Sequence, residues 1–486
     1  MPRTRALFLV VAALALTTSS LVPTASAAAT ATCRNDTVPL RLAASSTSAV
    51  LTTSPSRATQ AVSSGAADKG VVALVAAGAG PGRASVTRYR LTASGSTDYV
   101  YARDAAGRKA AVAAGYTADG ETLHGAATPA PGCTRAVYQL VKGRSHQLAV
   151  GGAQVSALAK KGWVVQGPLL YAADPPGHAR PLPTGPVARA LPAADDDPVF
   201  RIAVLPDTQE EVHSEDDHRL LQRSEYIAAH AGSWDVRLAV SVGDIADWDT
   251  DDHAQYARAA QQLQPLVAKV PFVAVPGNHD TQAVCPGGSA CTGLKARTTV
   301  RDTTVYNTYF PAARFSLLQG QYEPGKTDNA YHTFRAGGVS WLVLNLELWP
   351  REQVVDWAAA VVAANPHRNV IVVTHSYLTK RGKILGDNGG YGSMSPKYLF
   401  DHVVKRYPNV KIVLSGHTGK DKVRVDTGVY GNKIVSYLQC FHSRTANPFR
   451  RISVDTQRGR LDTAVYTPST GKKSKTTRVK GMAYVR

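Results

Sequence analysis

Carboxylates, amides and imidazoles stand at the ends of a series of short apolar runs. Ile202-Ala203-Val204-Leu205 breaks into Pro206-Asp207-Thr208-Gln209. Residues 238–242 break into Gly243-Asp244-Ile245-Ala246-Asp247, and residues 272–275 into Pro276-Gly277-Asn278-His279-Asp280. Two later runs, 370–374 and 410–414, deliver His375 and, through Ser415-Gly416, His417. Asp244, Asn278, His375 and His417 make a mixed oxygen and nitrogen donor set suited to Zn, Mn or Fe rather than to a thiolate-preferring ion. Asp207, on a different run, is placed to bind a second ion, with Asp244 bridging the pair. Paired ions about 4 Å apart hold a phosphoryl group and deprotonate the attacking water. Asp and Asn after a strand also cap helices. That explains one or two of these residues, but not His279, His375 and His417 as well.

The elements that must position them follow from the same runs. Short segments rich in Val and Ile, closed by Gly or Pro, read as buried strands, and open α/β sheets place their sites at strand C-terminal ends. Residues 218–230, with Leu220, Leu221, Tyr226 and Ile227 on one face, and residues 252–268 read as amphipathic helices; Pro350 opens a third. Strand and helix therefore alternate. Residues 281–338 lack a clear period and read as a long insertion, while 433–438 and 451–454 read as closing strands.

From about Phe200 to Thr467 the sequence resembles the calcineurin-like metallophosphoesterase family. The family pattern sets Asp-x-His after the first strand, then Gly-Asp-x-x-Asp, Gly-Asn-His-Asp/Glu, a lone His and Gly-His-x-His. The chain matches at Asp207, Gly243-Asp244-Ile245-Ala246-Asp247, Gly277-Asn278-His279-Asp280, His375 and Gly416-His417. The resemblance implies an α/β fold, a four-layer αββα sandwich of two mixed sheets. It implies two divalent ions, the second held by Asp244, Asn278, His375 and His417. It also implies that His279, oriented by Asp280, protonates the leaving oxygen or stabilises the transition state.

Two departures fall on the same ion. Gln209 stands where the first-metal histidine belongs, and Gly419 where the last one belongs. An amide oxygen is a weaker donor than imidazole, so the first site is expected to hold its ion less tightly or to prefer a harder one. Asp-Thr-Gln with a shortened last motif looks like a branch of the family rather than decay. His213 and His442 are candidate replacements, each more often a surface or hydrogen-bonding histidine. Glu347 reads first as a solvated carboxylate, and Lys380, Arg381 and Lys383 as a surface loop within reach of a phosphate substituent. There is no Gly-x-Ser-x-Gly elbow, so a serine-hydrolase reading finds no support.

The N-terminal part differs in character. Arg3 and Arg5, an apolar run over 6–16 and Ala25-Ser26-Ala27 read as a secretory signal peptide, 1–27. The run is shorter than the roughly 20 residues that span a bilayer. Residues 28–175 then read as a β-rich domain of three repeats. Leu40-Arg41-Leu42, Tyr89-Arg90-Leu91 and Tyr138-Gln139-Leu140 recur at equal spacing (91 − 42 and 140 − 91), followed by Gly70-Val71, Gly115-Tyr116 and Gly162-Trp163. Three such units could close into a β-trefoil-like form. The copies resemble a tandem repeat of exported bacterial proteins. A Pro-rich linker, 176–198, leads to the phosphoesterase-like domain, 199–470, and a basic tail, 471–486.

Export makes disulfides reasonable. Cys285–Cys291 and Cys33–Cys133 are the favoured pairs, leaving Cys440 as a buried thiol. The net charge of +19 is mostly diffuse, so a nucleic-acid partner carries little weight against an anionic envelope polymer or a solvated basic surface. The first functional reading is a secreted enzyme that hydrolyses a phosphomonoester or phosphodiester with a metal-activated hydroxide. The competing reading is a cell-surface or glycan-binding protein with an inactive phosphoesterase domain. The repeat domain reads equally as a glycan-binding module or a stabilising spacer, since its aromatics Tyr116, Trp163 and Tyr171 fit a core as well as a binding face.

Overall fold

The computed structural model describes residues 32–486 apart from 94–95, 179, 181 and 190–196. The signal peptide and part of the linker fall outside the described residues. No described helix is long and apolar enough to cross a membrane.

In the C-terminal domain two sheets pack face to face. One runs Phe272–Ala274, Val236–Ser241, Val199–Leu205, Phe449–Asp455, Arg460–Thr467, Lys472–Lys480, its first three strands parallel. The other runs Leu318–Gln321, Ala330–Ala336, Val339–Leu346, Asn369–Thr374, Val410–Ser415, Lys433–Gln439, Asp421–Thr427, with the four from Val339 to Gln439 parallel. Alternate residues such as Ile202, Val204, Val240, Val343, Ile371 and Leu414 point into the space between the sheets and are fully buried there. The opposite faces take helices: Arg219–His230 and Ala254–Gln262 on the first sheet, Glu352–Ala363 and the helical stretch from Pro396 to Val404 on the second. Strands buried on both faces explain why the sequence shows continuous Val/Ile runs rather than alternation.

Two sequence boundaries move. The basic tail is part of the fold: Lys472–Lys480 pairs antiparallel with Arg460–Thr467 as an edge strand. Its lysines are mostly exposed, a common way of blocking further strand addition at a sheet edge. The segment 330–338, read as insertion, supplies an internal strand paired with Val339–Leu346.

The N-terminal domain is built of three ββαβ units, with helices Pro55–Ser63, Ala105–Ala113 and Gly151–Ala159. Those helices exclude the β-trefoil expectation, since a trefoil is made of strands alone. In each unit the first strand lies between the other two. The third strands of the units meet one another, through Ala126–Tyr171 pairing and the bridges Leu74–Ala173 and Ala76–His124. The three helices end alike. Gly65, Gly115 and Gly162 take φ of 95°, 88° and 84°, and the following N–H groups of Ala66, Tyr116 and Trp163 bond back to Ala61, Ala111 and Leu158. This is a Schellman-type stop, which needs a left-handed residue. The first copy's glycine is therefore Gly65 and not Gly70; the small Ala66 hid it where the other copies carry an aromatic. Cys33–Cys133 ties the start of the domain to its third unit across 100 residues, a loop length at which a bridge restrains the unfolded chain by about 4–5 kcal/mol. Tyr116, Trp163 and Tyr171 are buried, so they serve the core rather than a glycan-facing surface.

Candidate metal centre

The parallel strands of both sheets end on the same edge, and there the ligand-type residues gather in two clusters. Asp244, His375 and His417 each bring a donor atom within 4.8 Å of the others, and Asn278 Oδ1 lies 3.0 Å from His417 Nδ1. Asp207, Cys440 and His442 form the second such cluster. Gln209 joins it, its Nε2 2.9 Å from His442 Nε2.

The backbone is bent to make this possible. Asp244 and His417 sit at φ of 50° and 73°, left-handed values that cost a non-glycine residue on the order of 1–3 kcal/mol. Gly277 and Gly416 let the strands close in: a Cβ on either would collide with Asp244 Oδ1 or Asp207 Oδ1 respectively. Asp207 Oδ2 accepts the His417 N–H (2.8 Å), and Asp244 Oδ1 the His279 N–H (3.0 Å), so each carboxylate is oriented from the neighbouring motif. The loop with Gln209 is anchored by Glu211, which takes a bidentate pair from Arg223 at 2.6 and 2.7 Å, both residues buried.

The donor sets fit two cations. Asp207 Oδ1 and Gln209 Oε1 are buried without a hydrogen-bond partner, a state that proteins avoid unless something else satisfies the atom. His375 Nε2 lies 2.9 Å from Asp244 Oδ2 yet is not aligned for a hydrogen bond, as expected of two ligands aimed at a common point. His375 Nδ1 is fixed by the Val242 carbonyl at 2.8 Å, which leaves Nε2 as the donor to an ion.

Electrostatics point the same way. Burial would lower the His375 proton affinity, but Asp244 beside it raises the pKa to about 9. Burial opposes ionisation of Asp244, yet His375 and His279 hold it well below the usual carboxylate range. His417 is pushed down to about 4 by burial and by His375. Asp244 thus favours positive charge beside it, which divalent ions would supply while lowering the proton affinity of the imidazoles near them.

Sequence reasoning mistook one partner. Asp280 does not touch the His279 ring: its carboxylate accepts the N–H groups of Ile245, Ala246 and Gly277 at 2.9–3.0 Å and so clamps the two motif loops together. Asp247 orients His279 instead, with Oδ1 2.7 Å and its carbonyl 2.8 Å from Nδ1. His213 is not at the metal clusters; its Nε2 contacts the other Asp247 oxygen at 2.7 Å. Burial lowers the His279 pKa, but Asp244 and Asp247 outweigh it and raise it to about 10. Glu347 is buried and ion-paired with Arg301 and Arg351 at 3.3 and 2.9 Å, not solvated. Beyond it, Trp349 sets its ring edge-on to His417 at 5.2 Å and stacks on Tyr391 at 5.0 Å, an aromatic wall beside the ligands.

Cys440 and His442 were missed as a pair. Their signal was present: the apolar run 434–438 breaks into Gln439-Cys440-Phe441-His442, the same strand-then-ligand pattern as the earlier motifs. Lys433–Gln439 runs parallel to Val410–Ser415, which brings its end to the site edge. A cavity of about 760 Å³ between the two domains, lined by Tyr138, Tyr171, Lys295 and Arg301 among others, includes none of these ligands.

Residues 200–421 match the family model described as calcineurin-like phosphoesterase, so this part of the chain is a calcineurin-like phosphoesterase domain. Residues 40–173 match a domain of unknown function, DUF5648. A curated relative, the uncharacterized protein YvnB of Bacillus subtilis (strain 168), is 24% identical over 231 residues, which is 47% of this chain and 16% of that protein. The chain thus spans about one sixth of the relative's length. Among solved structures, a dimetal phosphatase from Danio rerio aligns at 13% identity and a TM-score of 0.38, over 58% of this chain and 99% of that one. PhoD aligns at 11% and 0.36, over 92% and 94%.

Proposed function

We propose that the chain is an exported metal-dependent phosphoesterase acting on a phosphomonoester or phosphodiester. The observation that carries this reading is the pair of ligand clusters, one around Asp244 and one around Asp207, meeting where two sheets share an edge. Two divalent ions held there would supply charge for the phosphoryl oxygens and acidity for an attacking water. Asp244, Asn278, His375 and His417 would hold one of them, with Asp207 and Gln209 on the other. His279 stands beside the clusters with Nδ1 committed to Asp247, so Nε2 is the ring atom free to donate a proton to the leaving oxygen. Tyr391, partly exposed and backed by the buried Trp349, gives the ester's organic part an apolar surface. Two disulfides and the N-terminal leader pattern support export. The alternative of an inactive surface-binding protein rested on the lost first-ion histidines, and in that space the chain carries other donors.

The test is elemental analysis of purified protein coupled to hydrolysis of bis-p-nitrophenyl phosphate and p-nitrophenyl phosphate with Mn or Zn. Turnover that disappears on chelation and returns with metal is expected, and the preferred ester separates diesterase from monoesterase. Metal-free, inert protein would overturn the reading.

A further inference from the structure

We propose that Cys440 and His442 complete the first ion's site, so that one ion is held by a thiolate and an imidazole together with Asp207 and Gln209, while its neighbour sees oxygen and nitrogen only. The inference rests on the phosphoesterase reading and extends it to the kind of ion each half accepts. The family match ends at residue 421, so both residues lie beyond it.

Four observations converge. Donor atoms of Asp207, Cys440 and His442 lie within 4.8 Å of one another. Asp207 Oδ1 and Gln209 Oε1 face the same region, buried and without a hydrogen-bond partner. The turn after the strand is built for the purpose: Phe441 and His442 both have positive φ, 66° and 33°. That turn returns the chain so sharply that the His442 N–H bonds to the Cys440 carbonyl at 2.9 Å, and it sets both side chains toward Asp207. Finally, the position that should supply the missing histidine is crowded. Gly419 has φ 72°, and a Cβ there would lie 3.0–3.1 Å from Lys380 Cβ and Cα, so a side chain at 419 requires Lys380 to give way.

The donor chemistry reverses the expectation of a harder ion. Thiolate plus imidazole selects Zn, Fe or Co over Mg or Mn, and on binding the thiol proton is released to solvent as the sulfur–metal bond forms. The chain has five cysteines, four in disulfides, and Cys440 is the free one. Any sulfur-to-metal signal therefore belongs to it.

The experiment strips the full chain with a chelator and titrates it with Co²⁺, following bound cobalt by elemental analysis and near-ultraviolet absorption together. Two ions per chain and a sulfur-to-cobalt charge-transfer band are expected. Cys440→Ser should remove the band and weaken one ion by at least about 10–100-fold, the range seen when even an outer partner of a ligand is lost. His375→Ala, in the other cluster, should lose the other ion and keep the band. Cobalt-loaded wild-type protein with no band overturns the proposal without recourse to any variant, and leaves the phosphoesterase reading standing if phosphoesters are still hydrolysed. A band with bound ions but no hydrolysis supports the site and overturns the functional reading. Protein that binds no cobalt overturns both.

Discussion

Around Asp244, the donors come from four strand ends that announce themselves in sequence, three of them beside a glycine and His375 alone after its apolar run. Around Asp207, one partner lies two residues away and the others more than 230 residues downstream, after a strand whose last turn is irregular. Both clusters use the same architectural place, the C-terminal edge of parallel strands. The difference lies in which elements supply the donors. Both clusters lean on left-handed non-glycine backbone, at Asp244 and His417 in the first and at Phe441 and His442 in the second, but the first draws on four motif loops and the second on one loop and one irregular turn. A binding site can thus keep its position in a fold while its ligands change strands, provided that another parallel strand ends within reach.

The comparison is broken most directly by deleting ligands. Asn278→Ala or His417→Ala should lower kcat/KM for bis-p-nitrophenyl phosphate on the order of 10³-fold, several kcal/mol of charge stabilisation, with circular dichroism unchanged; full activity in either would remove the assignment of that cluster. Next, Asp247 and Asp280 can be told apart. Asp247→Asn should cut kcat by roughly 10²-fold at nearly constant melting temperature. Asp280→Asn should instead lower the melting temperature, because an amide cannot accept from three N–H groups without turning a donor toward one of them.

A third measurement concerns the contact between domains. His253 is held by Asp249 at 2.5 Å and by Asp174 of the N-terminal side at 3.1 Å. Burial opposes its charge, but the two carboxylates raise its pKa from 6.5 to about 10. Its contribution is therefore full below pH 6.5 and lost as pH rises through about 10. The melting temperature of the wild type should fall over that window. His253→Gln should be less stable by about 3–5 kcal/mol at neutral pH, the usual cost of breaking a buried pair, and flatter in pH. The smallest effect should come from Tyr391→Ala, with KM for aryl esters rising by roughly 10-fold at little change in kcat. Equal changes in KM for an ester with a small aliphatic group would deny the aromatic wall its role.

Much of this was legible beforehand, and the pattern of what was not is physical. Buried strands announce themselves through Val and Ile, and Gly-Asn-His-Asp after Gly-Asp-x-x-Asp leaves few alternatives for Asp244, Asn278, His375 and His417. Lys433–Gln439 read as an unremarked closing strand because its apolar run does not say which neighbour it pairs with, and only parallel pairing brings Cys440 to the site. Asp280 was assigned to His279 because it is adjacent in sequence; adjacent residues at a tight turn point apart, and Asp247 faces the ring from another loop. The repeat glycine of the first unit was misplaced because a helix stop depends on φ, which the side chain next to it does not encode.

The loop closed by Cys285–Cys291 reaches in two directions. A Cβ at Gly288 would lie 3.4 Å from Asp247 Oδ1 and 3.7 Å from the His279 ring, and one at Gly152, on the helix Gly151–Ala159 of the N-terminal domain, 3.4–3.5 Å from both sulfurs. The two halves of the chain are therefore not interchangeable parts. A recombination event that replaced the N-terminal unit would keep the loop packed against Asp247 and His279 but remove the helix that backs it, and a side chain at position 152 would press on its disulfide.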